Sequence, residues 1–163
     1  MERTLIAALI SCKKTIKTAP KKTMLPDPRS ELILRNDFSC VSEDGKAFDI
    51  FMRKNVKLPY LFSIGLRYRS NDGTFTLCRY NGKHSHKNKI GNREKLNTFH
   101  IHRLYDQQLS DGTDTSLDAD PTTEYATFDE ALYRFLQDCH IEDWEKYFPE
   151  LEESINQLRL EGV

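Results

Sequence analysis

Residues 60–80 read YLFSIGLRYRSNDGTFTLCRY. Tyr60, Phe62, Ile64, Leu66 and Tyr68 recur at every second position, with Ser63, Gly65, Arg67 and Arg69 between them. Successive side chains of a strand point to opposite faces, so this spacing predicts a strand with one apolar and one cationic face. Asn71-Asp72-Gly73 tolerates the left-handed backbone of a tight hairpin. Residues 74–80 then return as the next strand.

The same alternation extends outward. Residues 31–40 and 46–54 read as two earlier strands, the second carrying Phe48, Ile50 and Met52 in step, with turn chemistry at Ser42–Gly45 between them. Residues 81–95 are polar, contain Gly82 and Gly91, and read as a long loop. Residues 97–105 form a fifth strand. Upstream, Leu5, Leu9, Cys12 and Ile16 recur at helical spacing, which predicts a helix over 2–17. Pro20, Pro26 and Pro28 make residues 18–30 a connector. Downstream, residues 106–124 lack periodicity and read as a surface loop. Thr127 with Glu130 is a capping box; it opens a helix whose stripe is Phe128, Ala131, Leu132, Phe135, Leu136 and Cys139. A short helix at 142–148 and a last one at 150–160 follow. His140 is expected at a helix C-terminus. The fold expected is α+β: an N-terminal helix, a mostly antiparallel five-stranded sheet and C-terminal helices packed on one face. One domain over 1–163 is expected, with a helix and connector (1–30), a basic sheet region (31–105) and an acidic loop and helical region (106–163).

Charge divides along that boundary. Residues 1–105 hold 21 Lys and Arg against 9 Asp and Glu, and residues 106–163 hold 3 against 16. A field of one sign favours an anionic partner without naming it; RNA is the candidate that the histidines below suggest. A protein partner, or a second copy joined through the opposed charged blocks, is the alternative. The apolar run Leu5–Ile10 is too short to cross a membrane, and Cys12, Cys40, Cys78 and Cys139 are widely spaced. These features predict a cytoplasmic protein with free thiols and no membrane partner. No phosphate-binding loop, HExxH or GxSxG is present.

Four of the five histidines, His84, His86, His100 and His102, fall within one short span of the basic block. On a strand His100 and His102 point the same way, opposite Phe99 and Ile101. They share the polar face with Arg67 and Arg69. Lys83 and Lys87 flank the loop pair. Three readings follow. Imidazoles titrate near neutrality, so a pair can act as base and acid on an RNA 2′-hydroxyl without a cofactor. Arg103 would then stabilise charge, and Tyr105 is a further candidate. Alternatively, His84, His86, His100 and His102 hold zinc or a similar divalent ion. In the third reading they are polar residues on a solvated sheet face.

The stretches KHSHKN (83–88) and FHIHRLY (99–105) resemble an uncharacterised family of small bacterial and phage proteins, over residues 60–140. In that family a His-Arg-Asn-like loop precedes an HxH strand and a capped helix follows. The arrangement also resembles small metal-independent endoribonucleases of toxin–antitoxin systems. That resemblance implies paired-histidine RNA cleavage. Two-histidine phosphoesterases carry Thr or Ser where this chain has His86 or His102.

Overall fold

The hairpin of residues 60–80 is the middle of the molecule. A computed structural model describes residues 1–84, 86–90 and 95–160, with residues 86, 87, 95, 96, 158 and 159 described by backbone alone. In chain order the elements are α1 (Thr4–Ser11), β1 (Lys14–Thr18), β2 (Leu25–Asp27), β3 (Ser30–Ser42), β4 (Ala47–Asn55), β5 (Phe62–Ser70) and β6 (Gly73–Asn81). They continue with β7 (His86–Lys87), β8 (Lys95–Leu96), β9 (His100–Arg103), α2 (Asp106–Asp111) and β10 (Ala119–Pro121). The chain closes with α3 (Phe128–Asp138), a 3-10 turn (Trp144–Lys146) and α4 (Leu151–Leu160). No helix among the described residues is long and apolar enough to cross a membrane.

The fold is α+β with an antiparallel sheet, but the sheet has eight strands rather than five. Its order is β1-β3-β4-β5-β6-β9-β10, with β2 also paired to β3; β7 and β8 form a separate two-stranded ribbon. The three extra strands lie where the sequence suggests helix, connector and loop.

β1 replaces the second half of the expected helix. Cys12 is already extended, with φ −62° and ψ 144°. Lys14 and Ile16 then alternate inward, and β1 pairs with the end of β3. Lys14 is 1% exposed. Its Nζ donates to Ile10 O (2.6 Å), Cys12 O (2.8 Å) and Cys139 O (2.9 Å) and lies 4.7 Å from the Phe48 ring centroid. Tertiary capture of one ammonium thus overrides a local helical pattern. β2 lies in the expected connector. α2 and β10 lie in the expected acidic loop. Asp106 of α2 accepts from Leu5 N (3.0 Å) and Ile6 N (2.9 Å), satisfying first-turn amides of α1.

The core is built as the alternation predicts. Phe48, Ile50, Met52, Phe62, Ile64 and Leu66 are buried together with Phe75, Tyr80, Phe135 and Leu136. Phe128 and Phe135 of α3 meet Phe62 and Tyr80 edge-on, with ring centroids 5.6 and 5.4 Å apart. Tyr60 departs from the expected stripe: it precedes β5 and is 44% exposed. Thr127 Oγ1 accepts from Glu130 N (3.1 Å), which is the predicted helix start. His140 takes φ 51° just past α3, where a helix commonly ends in a left-handed residue. All four cysteines are free.

Candidate functional site: an arginine groove and a histidine row on one sheet face

Register places two groups on the face turned away from the core. In β3–β5 these are Arg35, Asp37 and Ser39, then Asp49, Phe51 and Arg53, then Gly65 and Arg67 with Arg69. In β6 and β9 they are Thr76, Arg79 and Asn81, then His100 and His102. The alternation in the sequence therefore does bring Arg67, Arg69, His100 and His102 to one face.

The first group lines a groove of about 390 Å³. Arg35 and Arg53 converge on Asp37 at 2.7 and 2.9 Å, and Arg69 pairs with Asp49 at 3.0 Å. Burial works against ionisation of Asp37, but the hydrogen bonds from Arg35 and Arg53 outweigh it and hold its pKa below the ordinary aspartate value. The Arg67 guanidinium lies 4.3 Å from the centroid of the Phe51 ring. Phe51 lies flat over Gly65, where a Cβ would stand 2.1 Å from the ring. Glycine there makes room for the ring, and the ring holds Arg67 in place. Four guanidinia face two carboxylates, so the groove keeps a positive surplus.

The second group is a row of rings. His84 and His100 are 4.6 Å apart by centroid, and His100 and His102 are 5.0 Å apart. The predicted convergence of loop and strand histidines is present for His84; the side chain of His86 lies outside the described residues. The expected openness is absent. His84 is exposed, but His100 is 0% and His102 5% exposed. His100 Nδ1 faces Thr98 O at 2.7 Å, which makes Nδ1 the protonated nitrogen, and Asn81 Nδ2 lies 3.5 Å from Nε2. His102 Nδ1 is hydrogen-bonded to Ser116 Oγ.

Residues 88–90, in the loop between β6 and β9, are tied to β10 and its approach by side chains. Asn88 donates from Nδ2 to Ala119 O (2.9 Å) and accepts at Oδ1 from Ala119 N (2.8 Å). Asp118 accepts from Lys89 N (3.0 Å), Ile90 N (2.9 Å) and the Tyr105 hydroxyl (2.6 Å). Gly82, just past β6, packs tightly against the start of β5. Its amide donates to Phe62 O (2.9 Å), and a Cβ there would meet Tyr60 O at 1.9 Å.

Three expected site residues lie elsewhere. Arg103 pairs in register with the core residue Cys78 and reaches Asp120 at 3.6 Å, so it is on the opposite face from the imidazoles. Lys83 sits 5.9 Å from the ring of Phe99, which stacks with Phe62 on the core side. Tyr105 engages Arg3 (4.0 Å) and Asp118 rather than a histidine. Burial and the Asp118 hydrogen bond raise its pKa, so its phenol stays a donor. The side chain of Lys87 lies outside the described residues. Among the described residues no group of three or more His, Cys, Asp or Glu is placed to hold a metal ion.

Sequence reasoning missed Arg35, Arg53, Arg79, Asn81 and Ser116. The arginines were detectable, since Arg35 and Arg53 sit in the polar phase of their strands. Ser116 lies in an aperiodic stretch that gave no signal. Compared with protein-family models, curated proteins and solved structures, the chain matches none.

Proposed function

We propose that this protein binds single-stranded nucleic acid, RNA foremost, along the arginine groove. The observation that carries the reading is the set of Arg35, Arg53, Arg67 and Arg69 held around one recess by Asp37, Asp49 and Phe51. Guanidinium forks match phosphate oxygens in geometry, and pre-orienting them lowers the entropy lost on binding. Phe51 lies buried beneath Arg67, so contact is to the phosphate chain rather than to stacked bases.

Fluorescence anisotropy with labelled single-stranded RNA across a salt series tests this. Each phosphate contact adds about 0.7 to the magnitude of the logarithmic salt slope for single strands. Arg67→Ala should lower that slope by one such step and weaken binding to every sequence alike. Binding that is absent, or unchanged in the Arg67→Ala, Arg69→Ala double variant, defeats the reading and favours a non-catalytic module with a protein partner.

A second reading is RNA cleavage by the histidine row, as in the toxin-type endoribonucleases it resembles. The ring contacts among His84, His100 and His102 support it, because adjacent imidazoles can hold one proton and release another. It requires His100 and His102, which are buried, to become accessible to the strand. Cleavage that resists EDTA and disappears in His100→Ala and His102→Ala is expected; activity surviving both changes rejects it.

A further inference from the structure

Beside the groove lies a second recess of about 230 Å³, whose lining includes Thr76, Arg79, His102, Asp114 and Ser116 and, at the end of β9, Arg103. It is smaller than the roughly 300 Å³ at which pockets for drug-sized ligands begin, which suits a compact tetrahedral group. The recess adjoins the groove. Thr76 is the register partner of Arg67, and Arg79 is the partner of Gly65 beneath Phe51. The Arg79 Nε–H is buried and makes no hydrogen bond among the described residues. Burial pushes the Arg79 pKa down, so the site pays for a desolvated cation that a bound anion would stabilise. Beyond Arg79 the face is closed by the buried His100 and His102, so a chain lying in the groove cannot continue there.

We infer that this recess receives the terminal phosphate of a nucleic-acid strand held in the groove, with Arg79 and Ser116 as its donors. A terminal phosphomonoester carries about −1.5 to −2 at neutral pH, more than a phosphate inside the chain. Ser116 Oγ is hydrogen-bonded to His102 Nδ1, and its hydroxyl hydrogen serves the phosphate in the tautomer whose Nδ1 carries the proton. The Asp114 carboxylate accepts from Thr76 N (2.7 Å) and Thr76 Oγ1 (3.3 Å); it fastens the outer wall to β6 and adds negative charge at the rim. Asp114→Asn is therefore expected to tighten phosphate binding while keeping the wall. The inference rests on the groove reading for the strand but not for the phosphate.

The test compares labelled single strands of one sequence ending in a 5′-phosphate, a 3′-phosphate or hydroxyls only. One phosphorylated form should bind wild type at least about tenfold more tightly, the scale of hydrogen bonds to a charged group. In Arg79→Ala the phosphorylated and hydroxyl forms should bind alike. Thermal unfolding checks that Arg79→Ala is folded, and Ser116→Ala, with a smaller loss of discrimination, provides an independent variant. Equal affinity for all three strands in wild type overturns the inference. If no strand binds, the groove reading fails. The recess is then judged with inorganic phosphate alone by phosphorus NMR. Line broadening with wild type that is lost in Arg79→Ala supports an oxyanion pocket for small phosphate compounds, and no broadening with either overturns it.

Discussion

The two halves of the polar sheet face are built by different means. In β3–β5 the strands run 13, 9 and 9 residues, and register alone aligns Arg35, Arg53, Arg67 and Phe51. In β9 and β10 the strands run 4 and 3 residues; register sets the face of the histidines, but Ser116 holds the His102 ring and Asn88 and Asp118 tie the neighbouring loop to β10 and its approach. Where register dominates, a site follows from a period of two. Where loops dominate, it depends on individual polar contacts, each of which one substitution removes.

The largest expected effect tests whether the register half is as self-sufficient as it looks. Lys14→Ala strips three buried carbonyls of a donor and should cost about 3 kcal/mol in denaturant unfolding, at roughly 1 kcal/mol or more per lost partner. Lys14→Met keeps the aliphatic stem and should cost nearly as much if the hydrogen bonds matter; a small loss would assign the stability to packing. Next, Asp118→Ala should cost about 2 kcal/mol and act on one half only. Amide exchange should quicken in β9, β10 and at Lys89 and Ile90 and stay unchanged in β3–β5. Uniform acceleration would dissolve the distinction between the halves.

Alkaline titration separates them further. Burial pushes the Cys40 thiol of β3 up from 9.0 to about 12. An acid whose pKa is raised by folding contributes fully below its unfolded value and loses that contribution as pH climbs. Stability should therefore begin to fall above pH 9, by about 1.4 kcal/mol per pH unit for this group. Cys40→Ala should flatten that slope once its own cavity cost is subtracted; an unchanged slope would assign it to the buried tyrosines. The smallest effect lies outside both halves. His140 holds φ 51° without being glycine, so His140→Gly should stabilise by about 0.5 kcal/mol in thermal unfolding.

Legibility in the sequence follows the same division. The β5–β6 hairpin, the strands β3 and β4, the α3 capping box and the shared face of Arg67, Arg69, His100 and His102 were readable because each is a local pattern. β1 was not, because Ile16 fits a helical stripe and a strand alternation equally, and the choice is made by Cys139 and His140 far along the chain. β10 and Ser116 were not, because their partners sit in a polar stretch without period. The burial of His100 and His102 was illegible for the same reason: periodicity says which way a side chain points, never what lies on top of it.

Asn88 has a consequence beyond the histidines. Its carboxamide occupies both backbone groups of Ala119 and so imitates the strand that would otherwise extend the sheet. An uncovered edge of this kind recruits strands from neighbouring molecules. One side chain thus guards the β10 border against self-association, and Asn88→Ala would expose that border to polymerisation in concentrated solution.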